Sequence, residues 1–146
     1  MIVGLGLDLV EIERVRRMLA RHGDHMLRRL FTEVERDHAA RRVDPAPHLA
    51  ARLAAKEAAF KALSGDDLAR AIGWRDLEVV SAPDGRPTLW LHGSARVRAE
   101  RLGVTRALVT LSHSKGMAAA VVVLEAAGAE PALPLAASPY QLDSGA

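Results

Sequence analysis

Three separated stretches of the sequence hold side chains able to do chemistry together. The first is Asp8, at the end of IVGLGLDL (2–9), where Val3, Leu5, Leu7 and Leu9 alternate with Gly4, Gly6 and Asp8. An acid there can bind a metal ion or a substrate hydroxyl; equally, Asp8 or Glu11 can cap the helix that follows. The second is Glu57 in AAKEAAFKA, with Lys61 one turn on and Lys56 beside it. The ordinary reading of that spacing is a surface Glu–Lys pair worth about 0.3–0.5 kcal/mol. Against it, alanines at 54, 55, 58, 59 and 62 surround these charges, and two of the chain's three lysines fall here. The third is Ser112-His113-Ser114-Lys115, at a strand end before a tight turn. No G-x-S-x-G elbow accompanies it. It is either a plain hairpin tip or a set of contacts to a phosphate.

Two carboxylates far apart in sequence, with lysines and a histidine, are hard ligands suited to Mg²⁺ holding a phosphorylated substrate. Neither a Walker loop nor G-x-G-x-x-G is present. The other histidines (His22, His25, His38, His48 and His92) lack metal-ligand spacing and read as surface residues. Between Arg14 and Arg42 stand nine Arg against four acids, so this end should attract an anionic partner at long range. Phe31 is the only aromatic residue there, which leaves little to stack on nucleic-acid bases. A non-catalytic basic module that binds nucleic acid or another acidic surface through this segment is the reading that competes with an enzyme.

The elements that must position these residues follow from periodicity and punctuation. Residues 2–9 alternate as a strand, and glycines inside it imply close approach of another element to the backbone. From Glu11 to about Leu30 the pattern is helical, with Ile12, Val15, Met18 and Leu19 on one stripe and an interruption at Gly23-Asp24. Thr32 and Glu35 have capping-box spacing, and Pro45 and Pro47 close that short helix. The clearest helix is His48–Leu63, ended by Ser64-Gly65. Asp66–Trp74 reads as a loop or short turn, 76–80 and 87–91 as a hairpin, and Ser94–Leu102 as an amphipathic helix. A second hairpin joins 107–114 to 117–125 around Lys115-Gly116. AAAVVV (118–123) suits a strand buried on both sides. Residues 127–146, rich in Ala, Pro and Gly, read as a tail that need not pack.

Composition narrows the class. At 146 residues, 49% hydrophobic and 26% charged, the chain makes one folded domain, with a core of Ala, Leu and Val since only 3% is aromatic. The absence of cysteine excludes disulfides, thiolate metal sites and a cysteine nucleophile, and fits a cytosolic protein. MIVGLGLD has no basic lead-in and does not read as a signal peptide. No apolar run approaches the ~20 residues of a membrane helix, so no membrane partner is expected.

GLGLDLVEIERV (4–15), RLAAKEAAFKAL (52–63) and LSHSKGMAAAVVVLE (111–125), in this order and at these separations, resemble the bacterial holo-[acyl-carrier-protein] synthases. These are the short, trimeric class of 4'-phosphopantetheinyl transferases. The resemblance runs from residue 1 to about 125 and takes in WRDLEV (74–79) and DGRPTLWLHG (84–93). It implies a single-domain α+β fold over 1–126, an antiparallel sheet with a long helix packed on it, and a homotrimer with sites between subunits. It also implies transfer of phosphopantetheine from coenzyme A to a serine of apo acyl carrier protein, releasing adenosine 3',5'-bisphosphate, with no role for nucleic acid. Asp8 and Glu57 match the family's Mg²⁺ ligands. Lys61 matches the lysine beside the phosphates, His113 the family's histidine, and Arg52 meets a coenzyme A phosphate. Ser112, Gly65 and Pro87 line the nucleotide site. The proton acceptor is Glu57, a water on the metal, or His113, with Glu57 favoured; Glu57, Lys61 and His113 thus form the catalytic set. Arg14, Met18, Arg21, Arg28 and Arg29 form the carrier-protein docking helix. The chain departs from the family pattern at Leu53, at Ser64-Gly65-Asp66-Asp67, where a glycine-rich loop is usual, and at His25-Met26.

Overall fold

The computed structural model describes residues 1–128. Strand β1 (Ile2–Glu11) leads directly into helix α1 (Ile12–Leu30), then α2 (Glu33–Ala40) and the long α3 (Ala46–Leu63). A single-turn α4 (Asp67–Arg70) and a 3₁₀ turn at Trp74–Asp76 precede strands β2 (Leu77–Ser81) and β3 (Pro87–Leu91). Helix α5 (Gly93–Arg101) and strands β4 (Val104–Ser114) and β5 (Met117–Ala126) complete the fold. One antiparallel sheet has the order β1-β5-β4, and β2-β3 forms a separate hairpin. The expected α+β architecture is present.

Two local expectations change, in the start of α3 and the capping of α1, and two are made specific. Helix α3 begins at Ala46 with Pro47 in its first turn, because proline's fixed φ and missing N–H are tolerated at that position. The 66–74 stretch contains a short turn, one of the two alternatives for it: Asp66 caps the single-turn α4 by accepting from the Ala69 N–H. Neither Asp8 nor Glu11 caps α1 with its side chain. The α1 interruption is a kink at Gly23, whose φ of 45° glycine tolerates. Most of the expected tail lies outside the described residues.

Helix α3 packs on the sheet through its alanines; Ala50, Ala54, Ala55, Ala58 and Ala59 have no exposed surface. The glycines of β1 make that approach possible. A Cβ at Gly6 would run into the Ala58 carbonyl, and one at Gly4 into that of Ala62. On β5, Ala118, Ala120, Val122 and Leu124 are buried against this helix, whereas the alternate positions are only half-covered. The expectation of burial on both sides of β5 is therefore met on one side within a single chain. The other face of the sheet presents Leu5, Leu7 and Leu9, with Val121 and Val123 beside them and Leu108 beyond. Leu5, Leu7 and Leu9 are 66%, 57% and 61% exposed.

Behind α3 lies a buried polar brace. The Lys56 ammonium, with no exposed surface, contacts Glu35 Oε2 at 2.8 Å and donates to the Trp74 and Leu77 carbonyls. Glu35 also accepts from the Thr32 N–H, closing the expected capping box, and from the Val79 N–H. Every partner of this pair is satisfied, so α2, α3 and β2 are tied at one point.

Candidate active site

The same face of β1 that carries Gly4 and Gly6 next presents Asp8, and α3 sets Glu57 one residue before Ala58. Asp8 is thereby only 13% exposed, and its Oδ1 lies 2.6 Å from Lys61 Nζ, which also donates to the Leu7 carbonyl at 2.8 Å. The i,i+4 ion pair read from the sequence is replaced by one across 53 residues. Glu57 faces Asp8. Burial first, and then the Asp8 carboxylate, push the Glu57 carboxyl above the usual range, while Arg14 and Lys61 pull it back. Two hard carboxylates crowd together here with only part of their charge compensated.

That donor set fits a small hard cation. Among the described residues no third His, Cys, Asp or Glu joins the pair into a closed metal cage. Asp8 and Glu57 would suit a hard cation that takes its other ligands from outside the protein, and would not suit one that wants four protein ligands.

Beside Glu57 opens a groove of about 410 Å³ lined by Arg14, Met18, His22, His25, Arg29 and Trp74, among others. It contains three of the five expected docking residues: Arg14, Met18 and Arg29. Arg21 and Arg28 are not among its lining, and Arg28 is paired with Asp24 at 3.2 Å. Arg16 is held bidentately by Asp44, at 2.8 and 3.0 Å, and Arg17 by Glu11 at 3.4 Å. The Arg14–Arg42 segment is thus not a continuous free basic face.

Arg52, Ser112 and His113 meet in a second pocket, of about 460 Å³, at the other side of α3. Arg52 is only 3% exposed; it reaches the His48 carbonyl and Ser81 Oγ, and burial lowers its pKa. Its Nε is buried with no hydrogen-bond partner among the described residues. Arg42, His38 and His48 also line this pocket, and among the described residues none of the lining is acidic. His38 and His48 are therefore not simple surface residues: they are half-buried, ring to ring at 5.9 Å. Nothing in their sequence spacing marks this, because α2 and α3 bring them together only after folding. Pro87 does not line the pocket, although Pro83 and Gly85 of the same hairpin do. Gly65 lies in a third depression with Phe60, Ser64 and Asp66.

Asp8, Glu57, Lys61, Arg52, Ser112 and His113 therefore form two groups in one chain, with Gly65 and Pro87 in neither. Lys61 follows Arg52 by nine residues, so the two lie about 13.5 Å apart along α3 and point about 180° apart. Asp8, Glu57 and Lys61 share one side; Arg52, Ser112 and His113 share the other.

Residues 4–122 match the 4'-phosphopantetheinyl transferase superfamily. A holo-[acyl-carrier-protein] synthase of Nitratidesulfovibrio vulgaris is 50% identical over 127 residues, covering 86% of this chain and 99% of that protein. The structure of the Mycobacterium tuberculosis acyl carrier protein synthase is 40% identical with a TM-score of 0.65, covering 87% of this chain and all of that one. A Bacillus anthracis holo-(acyl-carrier-protein) synthase, solved in complex with coenzyme A (3',5'-ADP), is 33% identical with a TM-score of 0.70, covering 87% and 99%. This chain belongs to the holo-[acyl-carrier-protein] synthase family of 4'-phosphopantetheinyl transferases.

Proposed function

We propose that the protein transfers the 4'-phosphopantetheine group of coenzyme A to a serine hydroxyl of apo acyl carrier protein, releasing adenosine 3',5'-bisphosphate. The observation that carries this reading is the convergence of Asp8, Glu57 and Lys61 from β1 and α3. Asp8 and Glu57 are the residues to hold Mg²⁺, which when bound neutralises charge growing on the coenzyme A pyrophosphate. Lys61, anchored by the Leu7 carbonyl, keeps a fixed cation beside that phosphate. Glu57, beside Asp8 and Arg14, is the group that takes the serine proton, directly or through water.

Coenzyme A carries a second anionic centre, its 3'-phosphate. Arg52, Ser112 and His113 supply a cationic pocket without an acid for it. Since that pocket and the carboxylates lie on opposite sides of α3, one ligand bridges both only if a second copy brings its pocket to the first copy's carboxylates. The open leucine face of the sheet supports such a self-association, and we assign a homotrimer. The Arg14, Met18, Arg29 groove beside Glu57 is the surface for the acidic carrier protein, with charge speeding encounter and Met18 giving apolar contact. No helix among the described residues is long and apolar enough to cross a membrane. We assign the cytoplasm as the site of action.

The test is mass spectrometry of apo acyl carrier protein incubated with the protein, coenzyme A and Mg²⁺. A gain of one phosphopantetheine, abolished by EDTA and by Asp8→Ala or Glu57→Ala, is expected. No mass gain with the wild-type protein overturns the reading.

A further inference from the structure

The pocket around Arg52 contains two histidines that the proposed reaction does not use. His38 comes from α2 and His48 from the first turns of α3. Arg42 Nη2 lies 3.4 Å from His38 Nε2. A guanidinium can only donate, so in this contact Nε2 is an acceptor and the imidazole is neutral, with its proton on Nδ1. The charged groups facing His38 are Arg41 and Arg42 at the end of α2 and Arg52 and His48 from α3. Those facing His48 are Arg42, Arg52, His113 of β4, and Asp44. Asp44 is the one acid in either set, and Arg16 already holds both of its oxygens. The pocket thus gathers cations and two imidazoles around a space with no anion of its own.

We propose that His38 and His48 are further anion-binding residues of this pocket, neutral in the free protein and protonated as a phosphate monoester enters between Arg42, Arg52 and His113. The proposal rests on the reading of this pocket as the seat of a coenzyme A phosphate. In the free protein burial first, and then Arg52, hold the His38 pKa down to about 4; burial, then Arg42, lower that of His48. A dianion reverses the sign of the local field and gives each ring an acceptor for its N–H. Arg42 turns from His38 to the phosphate, which frees His38 Nε2 to take a proton. Affinity for the phosphate therefore rises as pH falls, against the trend set by protonation of the phosphate itself.

The experiment is calorimetric titration with adenosine 3',5'-bisphosphate, near pH 6 and near pH 7.5, in two buffers of different ionisation enthalpy. Wild-type protein is compared with the His38→Asn/His48→Gln double variant, which cancels the proton balance of the ligand. Near pH 6 the wild type should take up about two protons more per ligand than the variant, one for each imidazole. Its affinity should gain several-fold relative to the variant between the two pH values. Equal proton uptake and equal pH dependence in both proteins overturn the proposal while leaving the pocket reading intact. No binding of the bisphosphate by the wild type removes both. Inorganic phosphate as a second titrant separates a free phosphate site from a nucleotide one, since uptake with the bisphosphate alone shows that the nucleotide seats the monoester. Both histidines lie outside the buried core, and single variants distinguish a folding failure from loss of a proton site.

Discussion

Lys61 Nζ stands 2.6 Å from Asp8 Oδ1, across 53 residues of chain. The contact takes the lysine away from Glu57, its neighbour one turn back on the same helix, and leaves the two carboxylates facing each other. Removing one carboxylate therefore relieves repulsion and damages the site for a cation. Asp8→Asn and Glu57→Gln are each expected to slow transfer by about 10²-fold or more. The melting temperature should hold or rise for Glu57→Gln and change little for Asp8→Asn, which also loses the Lys61 pair. Transfer by mass spectrometry and thermal unfolding, run side by side, check this. A variant that unfolds early would make the pair structural instead.

Arg14 lines the groove beside Glu57, whereas Arg28 is paired with Asp24 outside it. Arg14→Glu should raise the KM for carrier protein about tenfold or more and leave that for coenzyme A nearly unchanged. Arg28→Glu should do much less to either. Steady-state kinetics with each substrate varied in turn reads the difference, and equal effects of Arg14→Glu on both KM values remove the docking assignment.

Glu35 and Lys56 are an ion pair with no exposed surface. Truncating one partner strands the other's charge, so Glu35→Gln or Lys56→Met should each cost about 3–5 kcal/mol. The double variant should lose less than the sum of the two. Chemical denaturation of the four proteins in this cycle measures the coupling, and additive losses would mean that the brace is not one unit.

Leu7 is 57% exposed on an apolar sheet face. A charge there meets no cost in an isolated chain, whereas the proposed homotrimer would bury it. If the proposed homotrimer forms through this face, Leu7→Glu should leave monomers in sedimentation and abolish transfer, although Asp8 and Glu57 are untouched. An active monomer would show that one chain holds a complete site.

His38 titrates at about 4 in the folded protein against 6.5 unfolded. Above the unfolded value neither state binds the proton, and the contribution to stability is complete. As pH falls from 6.5 toward 4 the unfolded chain binds a proton that the folded one refuses, so stability is lost over that window. Urea midpoints should fall more between pH 7 and pH 5 for wild type than for His38→Asn. Parallel curves would show that the ring is not held neutral.

What the sequence by itself determined is local. The period of two in IVGLGLDL, the alanine-rich run 48–63, the Thr32/Glu35 box and the Lys115-Gly116 turn are set by sterics within a few residues, and all appear in the structure, with the helix starting two residues earlier at Ala46. Glycine in β1 announced that something approaches closely, and α3 does. The motif resemblance named Asp8 and Glu57 as metal ligands and Glu57, Lys61 and His113 as catalytic, and within one chain His113 lies apart from the other three. Tertiary structure alone decided which lysine serves which acid. Lys56 and Lys61 are five positions apart, yet one is sealed into a brace and the other reaches Asp8, because a helix turns about 100° per residue and the sheet lies on one side only. It alone decided that Arg52 faces away from the carboxylates, that His38 meets His48, and that the leucine side of β1 points outward instead of into the core. Those outcomes depend on how helix and sheet faces meet across fifty or more residues, which no local periodicity encodes.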